Sequence, residues 1–177
     1  MRILIFSDVH GDDEAAAQLL FQADRLAVDQ LFLLGDVLHP GRAVATAALL
    51  NRRRADITAV CGNCDDPDFD QERLDFSLDR AFVSCECGGR HFLLCHGHDR
   101  PFDQSWFTPG TILAQGHTHI PEISALAGGV VRFNPGSIAR PRGGFPPTFG
   151  LYAENKLSIR RLPDGDVLAE YQLPDLT

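Results

Sequence analysis

The chain has no apolar run approaching the ~20 residues that a membrane span requires, and no internal repeat, low-complexity tract or linker interrupts its 177 residues. One domain, residues 1–177, is therefore expected, large enough to bury roughly two-thirds of the surface that its unfolded chain exposes. Basic residues are too few to balance the acids. Sixteen Lys and Arg against 24 Asp and Glu give a net charge of −8. That deficit argues against nucleic acid as a partner, because binding there depends on neutralising phosphates with Lys and Arg. The opening stretch MRILIFSDVHG has too short an apolar segment for a secretory signal, so it reads as a first strand and the protein as cytoplasmic. Cysteine is present but unpaired in number: Cys61, Cys64, Cys85, Cys87 and Cys95 suit free thiols in a reducing compartment. Cys61 and Cys64 have metal-site spacing, and Cys85 and Cys87 would complete a zinc site of four sulfurs. The alternation in AFVSCECGG instead favours a strand with thiols in the core.

What the sequence does have is a recurring pattern of apolar runs, each ending in a polar cluster that contains glycine, histidine or asparagine. RILIF leads to SDVHG, LFLL to GDVLHPG and ITAV to CGNCDD; FLLC leads to HGHD, TILAQ to GHTH and VVRF to NPGS. Runs of this length bounded by turn residues are expected to be buried strands. Between the early runs, DDEAAAQLLFQADRLA and AVATAALLNRRR have helical spacing, the first with acids at its start and the second with arginines at its end, as a helix dipole favours. The three arginines read as a solvated helix end. The βαβαβ opening implies parallel strands with crossover helices, and LYAENKLSIRRL contains the Glu-Asn turn of a hairpin. An α/β fold with two facing sheets flanked by helices follows.

In open α/β sheets, ligands bind beyond the carboxyl ends of the strands. Here those ends carry Asp, His and Asn. Six such clusters on one rim would be costly without a ligand, since neighbouring carboxylates repel and buried charges require partners. Divalent cations resolve both problems.

The ordered set DVH, GD, GNCD, HGH and GHTH resembles the calcineurin-like metallophosphoesterase superfamily. The trailing NPGS and the short chain are similar to its small bacterial and archaeal phosphodiesterase branch, the YfcE-like group. The likeness runs from residue 6 to residue 137. It implies a four-layer αββα sandwich and a two-metal centre. By position, Asp8, His10 and His119 would hold one ion, Asn63, His96 and His117 the other, and Asp36 would bridge them. Carboxylate, imidazole and amide oxygen suit Mn2+, Fe2+, Zn2+ or Ni2+, and Mn2+ is the ion expected. Paired ions clamp the attacking and leaving oxygens of a phosphoryl displacement, and a water shared between them ionises near neutral pH to become the nucleophile. The implied activity is hydrolysis of small phosphodiesters, with a homo-oligomer as a further expectation because these are frequent in the branch.

Other residues are weaker candidates. His98 fits substrate binding or proton donation, Arg142 and then Arg140 fit phosphate contact, His39 is a polar loop residue, and His91 is structural. Two departures from the phosphoprotein-phosphatase pattern bear on specificity. GDVLHPG has His39 and Pro40 where those enzymes carry Asp-Arg, and GNCD has Cys64 where they carry histidine. A missing arginine should harm dianionic monoesters more than diesters, and a thiol is a weak donor to a departing alkoxide. Competing readings are a non-catalytic scaffold on the same fold, as in the retromer coat, and a nuclease. The scaffold would tolerate lost ligands, yet all seven positions are filled. The nuclease is opposed by the acidic charge and by Cys64.

Overall fold

The segment RILIF forms β1 (Arg2–Phe6), and its unbroken apolar character has a structural cause. Leu4 and Phe6 pack against helices, whereas Ile3 and Ile5 face a second sheet. Successive strand side chains point to opposite faces, so a strand covered on both sides must be apolar throughout. The computed structural model describes residues 1–78, 80–99 and 106–175.

Helix α1 (Asp13–Arg25) starts at Asp12, whose side chain accepts the Ala15 amide at 3.0 Å, with Asp13 and Glu14 in the first turn. It buries Ala15, Ala16, Leu19, Leu20 and Ala23. After β2 (Gln30–Leu33), α2 (Ala43–Asn51) ends before the arginine run. Arg53 does not simply face solvent: it pairs with Asp24 at 2.7 Å and Asp56 at 2.8 Å, tying the end of α1 to the turn before β3 (Ile57–Ala59). A short α3 (Pro67–Gln71) precedes eight strands: β4 (Phe82–Cys87), β5 (Arg90–Cys95), β6 (Ile112–Gln115), β7 (Glu122–Ala125), β8 (Val131–Asn134), β9 (Thr148–Ala153), β10 (Lys156–Arg161) and β11 (Val167–Gln172). Glu154 and Asn155, both at positive φ, turn β9 into β10 as a two-residue hairpin connection does.

The strands form two mixed sheets, ordered β11-β10-β9-β1-β2-β3 and β4-β5-β6-β8-β7. Strands β1, β2 and β3 run parallel in the first, and β5, β6 and β8 in the second. Between the sheets lie Ile3, Ile5, Phe32, Leu34, Phe92 and Phe133, with other apolar residues. Phe69, Leu74 and Phe76, on α3 and just after it, join α1 and α2 in packing on the outer face of the first sheet. On the outer face of the second, Phe107 and Leu126 cover Leu93, Cys95 and Leu113. The parallel strands put six carboxyl ends on one rim.

Candidate metal centre

Loops leave that rim abruptly. Asp8, His10, Asp36, His117 and His119 all have φ between 47° and 68°, left-handed backbone that Asp and His tolerate better than most residues but that still costs about 1–2 kcal/mol each. Five of the seven residues expected to hold metal are therefore strained, and strain of this kind gathers where geometry serves a ligand. The loops also touch backbone to backbone. A side chain at Gly35 would come within 2.8 Å of His96 Nδ1 and 2.7 Å of the Gly62 amide, so only glycine permits this approach.

Two sets of side chains converge. In the first, Asp8, His10, Asp36 and His119 are all buried, with one potential ligand atom from each within 4.8 Å of the others. His119 Nε2 lies 3.2 Å from Asp8 Oδ1, and His10 Nε2 lies 3.7 Å from Asp36 Oδ2. In the second, Asn63 Oδ1 is 3.1 Å from His96 Nε2 and 2.9 Å from His117 Nδ1. Asp36 belongs to both: its Oδ1 is 3.4 Å from His96 Nε2 while its Oδ2 faces His10.

Tautomers sharpen the chemistry. His96 Nδ1 donates to the Leu34 carbonyl at 2.6 Å, and His119 Nδ1 donates to the Arg140 carbonyl at 2.6 Å. Each neutral ring therefore turns a lone pair on Nε2 toward carboxylate or amide oxygens. Acceptors facing acceptors repel unless a cation lies among them. Both Asp8 oxygens and His10 Nε2 are also buried without a hydrogen-bond partner, a costly state that metal coordination removes. The donor set fits divalent transition ions.

Without metal, protons respond to the same field. The Asp8 carboxylate, 3.2 Å from its Nε2, raises the His119 pKa; burial lowers that of His96, but Asp36 outweighs it and leaves it raised. Burial alone would raise Asp36, yet bonds from His96 and the Cys64 amide hold it well below the ordinary carboxylate range. His10 and His117 are lowered, chiefly by burial.

Residues 1–156 match the calcineurin-like phosphoesterase superfamily domain. The chain belongs to that superfamily. Phosphodiesterase YfcE of Escherichia coli K12 is 31% identical over 180 residues, covering 96% of this chain and 97% of the relative. The structure of YfcE, described as a phosphoesterase from E. coli, superposes with a TM-score of 0.86 at 28% identity, covering 98% of this chain and all of that one. Vps29 of Entamoeba histolytica, solved with zinc, shares the fold at a TM-score of 0.67 and 19% identity, covering 98% and 100% of the two chains.

The remaining candidates of this phosphoesterase fall at different distances. His98 lies beside the second set, its ring centroid 5.4 Å from His96 and 6.2 Å from His117, and its Nε2 pairs with Asp99 at 3.2 Å. Cys64 is exposed next to Asn63, whose amide nitrogen is 3.3 Å from its sulfur. Burial and the Asp36 carboxylate push its thiol up to about 11. The Arg142 backbone amide donates to the His119 carbonyl at 3.1 Å, and its charge disfavours protonation of His119. Arg140 acts likewise on His10 and also favours the Cys64 thiolate, so its charge is felt in both halves of the site. Both arginines therefore act on groups of the site through their charge. His39 is exposed and bonded to the Pro40 carbonyl. His91 lies between Ser84 and Thr111 on the second sheet, away from the rim. Among the described residues no cluster of cysteines forms; Cys85 and Cys87 lie on β4 against the inter-sheet core.

Sequence reasoning passed over the residues that hold these loops. Ser137 Oγ donates to the Asp8 carbonyl at 2.9 Å and accepts the Arg140 amide at 2.8 Å. Asn134, in NPGS, donates to the Gly116 carbonyl and to Thr118. Asp65 accepts three backbone amides. Their common signal was a small polar residue inside NPGS or GNCD with no ligand role.

Proposed function

We propose that this chain is a divalent-metal-dependent phosphodiesterase that hydrolyses small phosphodiesters by in-line displacement, working as one domain of 177 residues. The observation that carries the reading is Asp36, buried between two ligand sets and directing a different oxygen toward each. The activity named for the E. coli relative supports the substrate class. Asp8, His10 and His119 would hold one ion, Asn63, His96 and His117 the other, and Asp36 both. Two bound ions, Mn2+ or else Zn2+, Fe2+ or Ni2+, would supply a water ionised near neutral pH and neutralise the phosphoryl oxygens.

The chain's own groups do the rest. Asp36 stays ionised across the physiological range. The Leu34 and Arg140 carbonyls keep the His96 and His119 Nε2 lone pairs directed inward. Arg140 and Arg142 would offer guanidinium to the non-bridging oxygens. His98 is the candidate proton donor to the departing oxygen, because the Cys64 thiol donates weakly.

The test is a panel of aryl phosphodiesters, alkyl monoesters and nucleotides, assayed after chelation and then with Mn2+, Ni2+, Zn2+ and Mg2+ in turn. The expected result is no activity after chelation, recovery with Mn2+ above Mg2+, and preference for aryl diesters. Full activity from protein shown metal-free by elemental analysis would overturn the reading.

A further inference from the structure

We propose that Asp65 is the positioning residue of this centre, fixing the loop that carries Asp36 onto the loop that carries Asn63. The inference rests on the two-ion reading above. Asp65 Oδ2 accepts the Asp36 amide at 2.8 Å and the Gly62 amide at 2.7 Å, while Oδ1 accepts the Val37 amide at 2.6 Å. A carboxylate that only closes its own turn would take the Gly62 amide alone. This one reaches 28 and 29 residues back along the chain.

The amides it takes flank the strained position. Asp36 has φ of 55°, and the bonds to its own amide and to that of Val37 hold the peptides on both sides of that residue. The direction of the Asp36 side chain is set by those two peptides. The lock is reciprocal, since Asp36 Oδ1 accepts the Cys64 amide at 2.9 Å. Two carboxylates thus cross-tie two loops, one at the ligand and one behind it. Asp70 and Asp66, farther along, serve the start of α3 instead.

Loss of Asp65 should therefore disturb the shared ligand Asp36 and the ligand Asn63, leaving Asp8, His10 and His119 in place. Groups behind metal ligands typically contribute about 10–100-fold in affinity. Metal-free parent, Asp65→Asn and Asp65→Ala are titrated with Mn2+ by calorimetry, their unfolding midpoints measured, and the loaded proteins examined by electron paramagnetic resonance. The parent should bind two ions with the spectrum of a coupled pair. Asp65→Ala should keep one ion near parental affinity, bind the other about 10–100-fold more weakly, and show uncoupled Mn2+ at low loading. Asp65→Asn keeps an oxygen for the Asp36 and Gly62 amides but turns an NH2 toward Val37, so it should fall between.

Two ions at parental affinity with a coupled spectrum in both variants would overturn the inference alone, whatever the midpoints. Loss of both ions in step with unfolding of the metal-free Asn variant would also overturn it, by assigning Asp65 to general stability. A parent that binds fewer than two ions would sink the two-ion reading and this inference with it.

Discussion

At the scale of single residues, Asp36 and Cys64 make the sharpest distinctions. Asp36→Asn removes the carboxylate that directs a different oxygen toward each ligand set, and the amide that replaces one oxygen would face His10 or His96 with hydrogens. His98→Ala removes at most a proton donor or substrate contact, an effect of about 10²–10⁴-fold. The expected order in kcat is therefore parent, then His98→Ala, then Asp36→Asn, with metal content falling only in the last. An Asp36 variant that keeps both ions and most of its rate would refute the assignment. For Cys64, the thiol stays protonated yet donates poorly. Cys64→His introduces a group whose imidazolium protonates leaving oxygens, so the alkyl-to-aryl ratio of kcat/KM should rise. An unchanged ratio would shift the explanation of specificity to Pro40 and the absent arginine.

At the scale of elements, the cap of α1 and the glycine of the β3 loop act through different physics. Asp12→Ala leaves the Ala15 amide without its acceptor and should cost about 1 kcal/mol, a fall of about 2–4 °C in the midpoint for a chain of this size. Gly62→Ala acts by collision: its new methyl would run into the Asp36 carboxylate and the Asp36 amide. The loops must separate, and misplacement of about 1 Å typically costs about 10²-fold in rate. Thermal melts and kcat/KM measured side by side should show the first variant losing stability and the second losing catalysis disproportionately.

At the scale of the whole molecule, metal and pH are linked. The Asp8 carboxylate raises His119 in the metal-free protein, and Asp36 does so for His96. Because these folded-state values lie above the unfolded one, their stabilisation is fully present below the unfolded value of 6.5 and is lost as pH rises through the raised values. Metal binding needs both rings neutral, so protons compete with ions. The Mn2+-induced rise in midpoint should grow as pH climbs above 6.5, and with Mn2+ at about 100 times its dissociation constant the added stability should reach roughly 2.7 kcal/mol per site. A metal shift that shrinks with rising pH would mean that the ion does not displace protons from these histidines.

The sequence by itself determined most of the strands, the first two helices and the candidate ligands. Apolar runs buried on both faces and an acidic helix start are local patterns, and Asp8, His10, Asp36, Asn63, His96, His117 and His119 stood out because each follows an apolar run. It also carried the family likeness, since the spacing of DVH, GD, GNCD, HGH and GHTH survives in the linear chain. Only the tertiary structure decided which atoms meet. The His96 tautomer depends on a carbonyl 62 residues away, and that of His119 on one 21 residues away. Asp65 grips a loop 28 residues before it, and Arg140 lies within electrostatic reach of both His10 and Cys64. Periodicity and composition reflect each residue's neighbours along the chain, whereas these contacts arise when two sheets stack and their loops close on one another, a geometry no local pattern encodes.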